Sequence, residues 1–194
     1  QAQLMDIVVR ESERLNDTIR SFLDYARPQR ASITRVDVSR VVRETAVLLR
    51  NSGEIKPGHR LDVVLPESPI WVEADGHQIR QILWNLATNG LRAMPSAGCL
   101  ELAAGYADDG TGAFLAVRDE GVGIPADAVD GVFQPFRSTF EKGTGLGLAI
   151  VHRIVSDYGG TIQLSSTVGV GTTFRVTLPA EMNGRKTGAG IDVA

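Results

Sequence analysis

Residues 119–148 constrain this chain more than any other stretch, reading DEGVGIPADAVDGVFQPFRSTFEKGTGLGL. Two glycine clusters, Gly121/Gly123 and Gly143/Gly145/Gly147, bracket a segment carrying Phe133 and Phe136. Glycine at this density either supplies positive φ angles or lets a ligand approach the backbone. The second cluster runs directly into LGLAIVHRIVSDYG, whose apolar residues recur at helical spacing. A glycine turn that opens a helix is an anion site in principle, because unpaired N–H groups and the positive end of the helix dipole converge there.

GTGLGL alone fits neither the dinucleotide fingerprint nor the Walker pattern, which needs a Lys-Ser/Thr pair after its last glycine. Two neighbours make the arrangement specific. The predicted strand GAFLAVRDE delivers Asp119 into the first glycine turn, where its carboxylate is a fixed acceptor. Upstream, QIRQILWNLATNGLRAM reads as a helix with Asn85 and Asn89 one turn apart on one face.

These motifs resemble those of sensor histidine kinases, in the family's order. NLATNGLRA resembles the asparagine box, DEGVGIP the first glycine box, FQPF the phenylalanine box and GTGLGL the second glycine box. The resemblance implies the Bergerat ATP-binding fold, shared with type II topoisomerases, mismatch-repair ATPases and heat-shock chaperones. It implies ATP and Mg²⁺ as cofactors, with Asp119 meeting the adenine amine and Thr172 supporting that contact through water. It implies a magnesium ligand in Asn89, with Asn85 packing or hydrogen-bonding at the rim and Arg92 within reach of a phosphate. Residues 125–142 would form a lid hinged on Phe133 and Phe136, with Arg137 and Lys142 meeting the γ-phosphate. Gly121 and Gly123 would shape the adenine turn, and Gly143, Thr144, Gly145 and Gly147 the phosphate turn. Leu146 and Leu148 would anchor the helix that follows.

The first thirty residues fit the same family. Leu4, Ile7, Val8, Leu15, Ile19, Phe22 and Leu23 recur mostly at three and four, and the pattern ends before Pro28. Glu13, Arg14, Leu15, Thr18, Ile19, Phe22, Leu23, Tyr25, Ala26, Arg27 and Pro28 resemble the second helix of the dimerisation and phosphoacceptor region. The expected organisation is that helix and a linker over 1–30, a catalytic ATP-binding domain over 31–182 and a disordered tail over 183–194.

Within 31–182, Ser39 is the expected cap of a helix over 40–50, and Asp75 that of the helix bearing the asparagines. Strands are expected over 59–65, 70–72, 99–106, 113–117, 161–165 and 173–178, with a helix over 147–158. The fold class is α+β, an α/β sandwich of a mixed sheet with helices on one face, preceded by one long amphipathic helix.

Composition narrows the partners. A net charge of −3, with Lys and Arg scattered, leaves no basic footprint for nucleic acid. The single cysteine, Cys99, excludes an internal disulfide and fits a cytoplasmic location. No apolar run approaches the roughly eighteen residues of a membrane span, so no membrane contact is expected of this stretch. The family resemblance implies homodimerisation through the N-terminal helix and a response regulator receiver domain as partner.

Two other functions fit parts of the pattern. An ATPase of the topoisomerase or mismatch-repair kind would carry a glutamate one helical turn before the magnesium asparagine; Asn85 stands there and cannot serve as a base. A dimerisation module with a degenerate nucleotide pocket would have lost polar and glycine residues that all four motifs keep. The family's phosphoacceptor histidine is followed by an acidic residue, whereas His59, His77 and His152 are followed by Arg60, Gln78 and Arg153. The chain alone is therefore expected to bind Mg-ATP without phosphorylating itself. Incubation with γ-labelled ATP should leave no acid-labile, base-stable phosphate, and stoichiometric label on any of the three histidines would refute this.

Overall fold

The computed structural model describes residues 31–107, 110, 112–137 and 143–179, the backbone of 190–193, and eight positions among the first thirty. Those eight, Met5, Val8, Val9, Ser12, Leu15, Asn16, Ile19 and Leu23, are helical and exposed. The other residues of the expected N-terminal helix lie outside the described residues, as does Lys142.

In chain order the elements are β1 (Thr34–Asp37), α1 (Val38–Arg50), β2 (Gly58–Val64), β3 (Trp71–Ala74), α2 (Gly76–Ala93), β4 (Ala97–Tyr106) and β5 (Gly112–Asp119). They continue with α3 (Ala126–Val129), α4 (Gly147–Asp157), β6 (Thr161–Thr167), β7 (Gly171–Pro179) and β8 (Gly190–Val193). The main sheet runs β2-β4-β5-β7-β6-β8. Its β2/β4 and β6/β8 pairs are parallel and the others antiparallel, so the sheet is mixed. β1 and β3 form a separate antiparallel ribbon. Over Gly190–Val193 the tail departs from the expected disorder, adding a strand beside β6.

Side-chain alternation decides which face is covered. Leu100, Leu102 and Ala104 of β4, Leu115 and Val117 of β5, and Phe174, Val176 and Leu178 of β7 are all buried. They pack with Ile79, Ile82, Leu83 and Leu86 of α2, Val42 and Leu49 of α1, and Val151 and Val155 of α4 in one core. On the other face Glu101, Thr173 and Arg175 are only partly buried and Arg118 is exposed. In β5, Asp119 is in phase with Leu115 and Val117; in β7, Thr172 is in phase with Phe174 and Val176. Both polar side chains therefore share the helix-covered face with the core.

The start of α1 differs from the sequence reading. Its cap is Asp37, whose Oδ1 accepts from the Ser39 N–H at 3.0 Å, while Ser39 is buried with its Oγ unpartnered. The reason is that β1 leads into the helix without a loop, and the Val38 N–H donates to Ile70 O at 2.8 Å. Asp75 caps α2 as expected, accepting from the His77 N–H at 2.8 Å. Among the described residues no helix is long and apolar enough to cross a membrane.

A second bond network ties α2 to α4. Buried Tyr158, the C-cap of α4, accepts from the Asp75 N–H at 2.8 Å and donates to Gln78 Oε1 at 2.7 Å. The other oxygen of Asp75 accepts from the Ser32 N–H at 2.9 Å, fastening the linker to the same residue. Removing the phenol oxygen strands a partly buried backbone donor, which costs about 1–3 kcal/mol. Tyr158→Phe should lower unfolding stability by that amount in a urea titration, with an unchanged slope.

Candidate functional site

The site is built where β5 ends. Asp119 is 5% exposed, and its Oδ1 accepts from the Gly121 N–H at 2.9 Å. Its carboxylate also accepts from the backbone of Thr172, its register partner across the β5/β7 pair. Burial pushes this carboxyl above the usual aspartate range, and the two backbone bonds only partly offset the shift. Among the described residues no cation acts on it, which leaves a desolvated acceptor.

The first glycine turn is shaped by close approach. A Cβ at Gly121 would lie 2.6 Å from Ala93 Cβ and 2.7 Å from Asp119 Oδ1. Gly123 has φ +72° and leaves no room for a side chain against Thr167 O. Two further bonds hold this turn between α2 and the β6/β7 hairpin: Val122 N–H to Ala93 O at 3.1 Å, and Gly169 N–H to Val122 O at 2.9 Å.

Thr172 is 4% exposed and its Oγ1 lies 2.9 Å from Ser166 Oγ. Adjacent Thr173 pairs with Arg118 and points to the opposite face, so of these two neighbours Thr172 is the one on the Asp119 side. Ser166, not singled out from sequence, accepts from the Ile124 N–H at 2.8 Å and lies 3.2 Å from Gly171 O. It joins the Thr172 hydroxyl to the chain leaving the first glycine turn.

On α2, Asn85 and Asn89 are half-buried and Arg92 is exposed. Asn85 was expected to pack or hydrogen-bond at the rim; its Nδ2 is buried and has no hydrogen-bond partner. Its side chain lies against the start of α4, with Oδ1 3.5 Å from where a Cβ of Gly147 would stand. That helix start has no side-chain cap, leaving its first N–H groups open. Gly145 has φ +68°, and the Thr144 hydroxyl accepts weakly from Leu146 N at 3.4 Å. Leu146 is fully buried and Leu148 is partly buried against the core. Gly143 begins the described part of this loop and is half-buried.

The phenylalanine pair splits. Phe133 is 8% exposed and packs edge-on against Phe174 at 6.2 Å between ring centroids, with His152 at 5.6 Å. Phe136 is 63% exposed and adopts φ 63°, the one non-glycine positive φ among the described residues. It is therefore not a second buried hinge. Its backbone N–H donates to Gly145 O at 2.9 Å, tying this turn to the second glycine loop. Arg137 is exposed and folds back on its own turn, 3.4 Å from Gln134 Oε1. Lys142 lies outside the described residues, so its placement beside Arg137 has no structural counterpart here.

Among the described residues no group of three or more His, Cys, Asp or Glu side chains could hold a metal ion.

This combination of a mixed sheet, a buried carboxylate at a strand end and an uncapped helix start defines a nucleotide-binding domain. Residues 74–182 match the family described as histidine kinase-, DNA gyrase B-, and HSP90-like ATPase, and the chain belongs to that family. Within the family it is an ATP-binding catalytic domain of the two-component histidine kinase type. It is 35% identical over 93% of its length to the sensor histidine kinase ZraS of Escherichia coli (strain K12), of which it spans 38%. The nucleotide-free catalytic domain of histidine kinase ThkA superposes with a TM-score of 0.70 at 28% identity, covering 79% of this chain and 99% of that one. ThkA in complex with response regulator protein TrrA gives a TM-score of 0.76 at 25% identity, covering 94% of this chain and 52% of that one.

Proposed function

We propose that this domain binds Mg-ATP and transfers its γ-phosphoryl group to a histidine on a dimerisation helix, for relay to a response regulator receiver domain. The observation that carries the proposal is Asp119, a buried carboxylate with backbone donors and, among the described residues, no cation. A neutral amine supplies what that group lacks, a further hydrogen-bond donor without a competing charge, and adenine presents one in its exocyclic amine. Thr172 and Ser166 complete a polar wall beside it. The unpartnered Asn85 Nδ2 and the open N–H groups of α4 form a donor set for phosphate oxygens.

Magnesium would be held beside these donors through the side-chain oxygen of Asn89, since the ion takes oxygen ligands, keeps several waters and shares substrate phosphates. When bound it would neutralise charge developing on the phosphate oxygens. Asn89, Arg137 and Lys142 are the residues proposed to act on the transferred group, with Arg92 a further cation at the end of α2. Phosphoryl transfer is mainly a matter of positioning and charge neutralisation, so the chain's contribution is to hold the triphosphate and exclude water. Asn85 stands where a hydrolytic relative would place a glutamate, which favours transfer to a side chain over transfer to water.

The response regulator proposal draws support from the ThkA–TrrA complex. Homodimerisation through the N-terminal helix draws support from the exposed helical positions Leu15, Ile19 and Leu23, which need a partner to be buried. A cytoplasmic location goes with an ATP substrate.

Guanine presents a carbonyl where adenine presents the amine, setting two acceptors against each other in a dry site. Calorimetry should show discrimination of ATP over GTP of up to about 10⁴-fold. Equal affinities would remove Asp119 from its role. Asn89→Ala should weaken ATP binding by about tenfold or more in magnesium and much less in excess chelator. The same loss under both conditions would assign Asn89 to packing instead.

A further inference from the structure

The covered face of the sheet is ordered in cross-strand rows, and one of them is polar. Leu115, Val176 and Ile162 face one another across β5, β7 and β6, and Val117, Phe174 and Leu164 form the next row; all are buried. Two residues further along, the row is Asp119, Thr172 and Ser166. Alternation would continue the apolar core here, so this row is where the core gives way to the site. Asp119 and Thr172 meet the base in the reading above, whereas Ser166 there only completes the wall.

Ser166 Oγ has one proton to donate and two lone pairs. One lone pair takes the Ile124 N–H at 2.8 Å. Its other neighbours are Thr172 Oγ1 at 2.9 Å and Gly171 O at 3.2 Å. Hydroxyl donors bond best at roughly 2.5–3.0 Å, which puts the Ser166 proton on Thr172 and leaves Thr172 its own proton to give away. The row then offers an acceptor, the Asp119 carboxylate, beside a donor, the Thr172 hydroxyl. Adenine carries the matching pair at adjacent positions, its exocyclic amine and the unprotonated ring nitrogen next to it.

We propose that Ser166 is a positioning residue for base recognition: its hydroxyl bonds that of Thr172 so that the Thr172 proton serves this ring nitrogen through one water. The proposal rests on the reading that Asp119 and Thr172 receive an adenine. With alanine at position 166, a methyl group faces Thr172, and the Thr172 hydroxyl and methyl are free to exchange places about χ1. The bond to the ring nitrogen is then lost. Asp119, held by the Gly121 and Thr172 backbones, keeps its own contact.

The test is calorimetric binding, in magnesium, of ATP and two analogues. 1-Deaza-ATP keeps the amine and lacks the ring nitrogen, while purine riboside triphosphate keeps the ring nitrogen and lacks the amine. The unsubstituted chain should prefer ATP to both. Ser166→Ala should lose about tenfold of the preference over 1-deaza-ATP and keep that over purine riboside triphosphate. Thr172→Val should show the same loss, with Ser166→Ala adding nothing to it. If Ser166→Ala does not fold, Ser166→Cys, of similar shape with a weak S–H donor, is read by the same two ratios. An unchanged 1-deaza ratio in Ser166→Ala while Thr172→Val loses it would overturn the role of Ser166 and leave that of Thr172 standing. An equal fall of both ratios would overturn it too, as general loosening of the turn held through Ile124. No preference over 1-deaza-ATP in the unsubstituted chain would remove the ring-nitrogen contact and the proposal with it, and no preference over either analogue would overturn the adenine reading itself.

Discussion

A buried carboxylate held by backbone donors organises this domain. Taking a charge out of water is costly, and partners must offset much of that cost or the group neutralises. Here the offset comes from backbone: the Gly121 N–H after a sharp turn and the Thr172 backbone across a strand pair. Both require local precision. Gly121 can approach only because neither it nor Ala93 carries a larger side chain, and Thr172 is delivered by the register that also seats Leu115 against Val176 and Val117 against Phe174. The hydrophobic core and the polar site are therefore two readings of one strand alignment.

Much of this was legible because the informative residues act locally. A strand running into glycines places Asp119, a cap at Asp75 places the helix of the asparagines, and a glycine turn before an apolar repeat places α4. What was not legible depends on residues distant in sequence. Ser166 looks like any strand serine until the hairpin brings it 2.8 Å from the Ile124 N–H. The start of α1 was misread because Ser39 and Asp37 are equally good caps by type, and the chain direction out of β1 gives that place to Asp37. β1 and β3 show the same short alternation as the sheet strands, and nothing local says that they pair only with each other.

The phenylalanine pair shows how a motif can hold two physical roles. Phe133 joins the core through Phe174 and His152, so the lid's first turn is anchored like any buried element. Phe136 stands three residues on with its ring in solvent and its backbone in a left-handed conformation, held by one bond to Gly145. Such a conformation costs about 1–3 kcal/mol for a side chain of this size and persists only where neighbours over-determine it. Two residues of the same type, three apart, thus stand one in the core and one in solvent.

The Tyr158 hydroxyl gives α4 a second attachment, at the end away from the phosphate loop. An eleven-residue helix is a rod about 16 Å long. One end of this rod presents open N–H groups beside Asn85; the other is bonded to Asp75, the residue that also grips Ser32 of the linker. Mechanically, the rod and the linker share a joint. A tilt of α4 would load, through the Asp75 N–H, the residue whose Oδ2 holds Ser32, so helix and incoming chain meet at one residue.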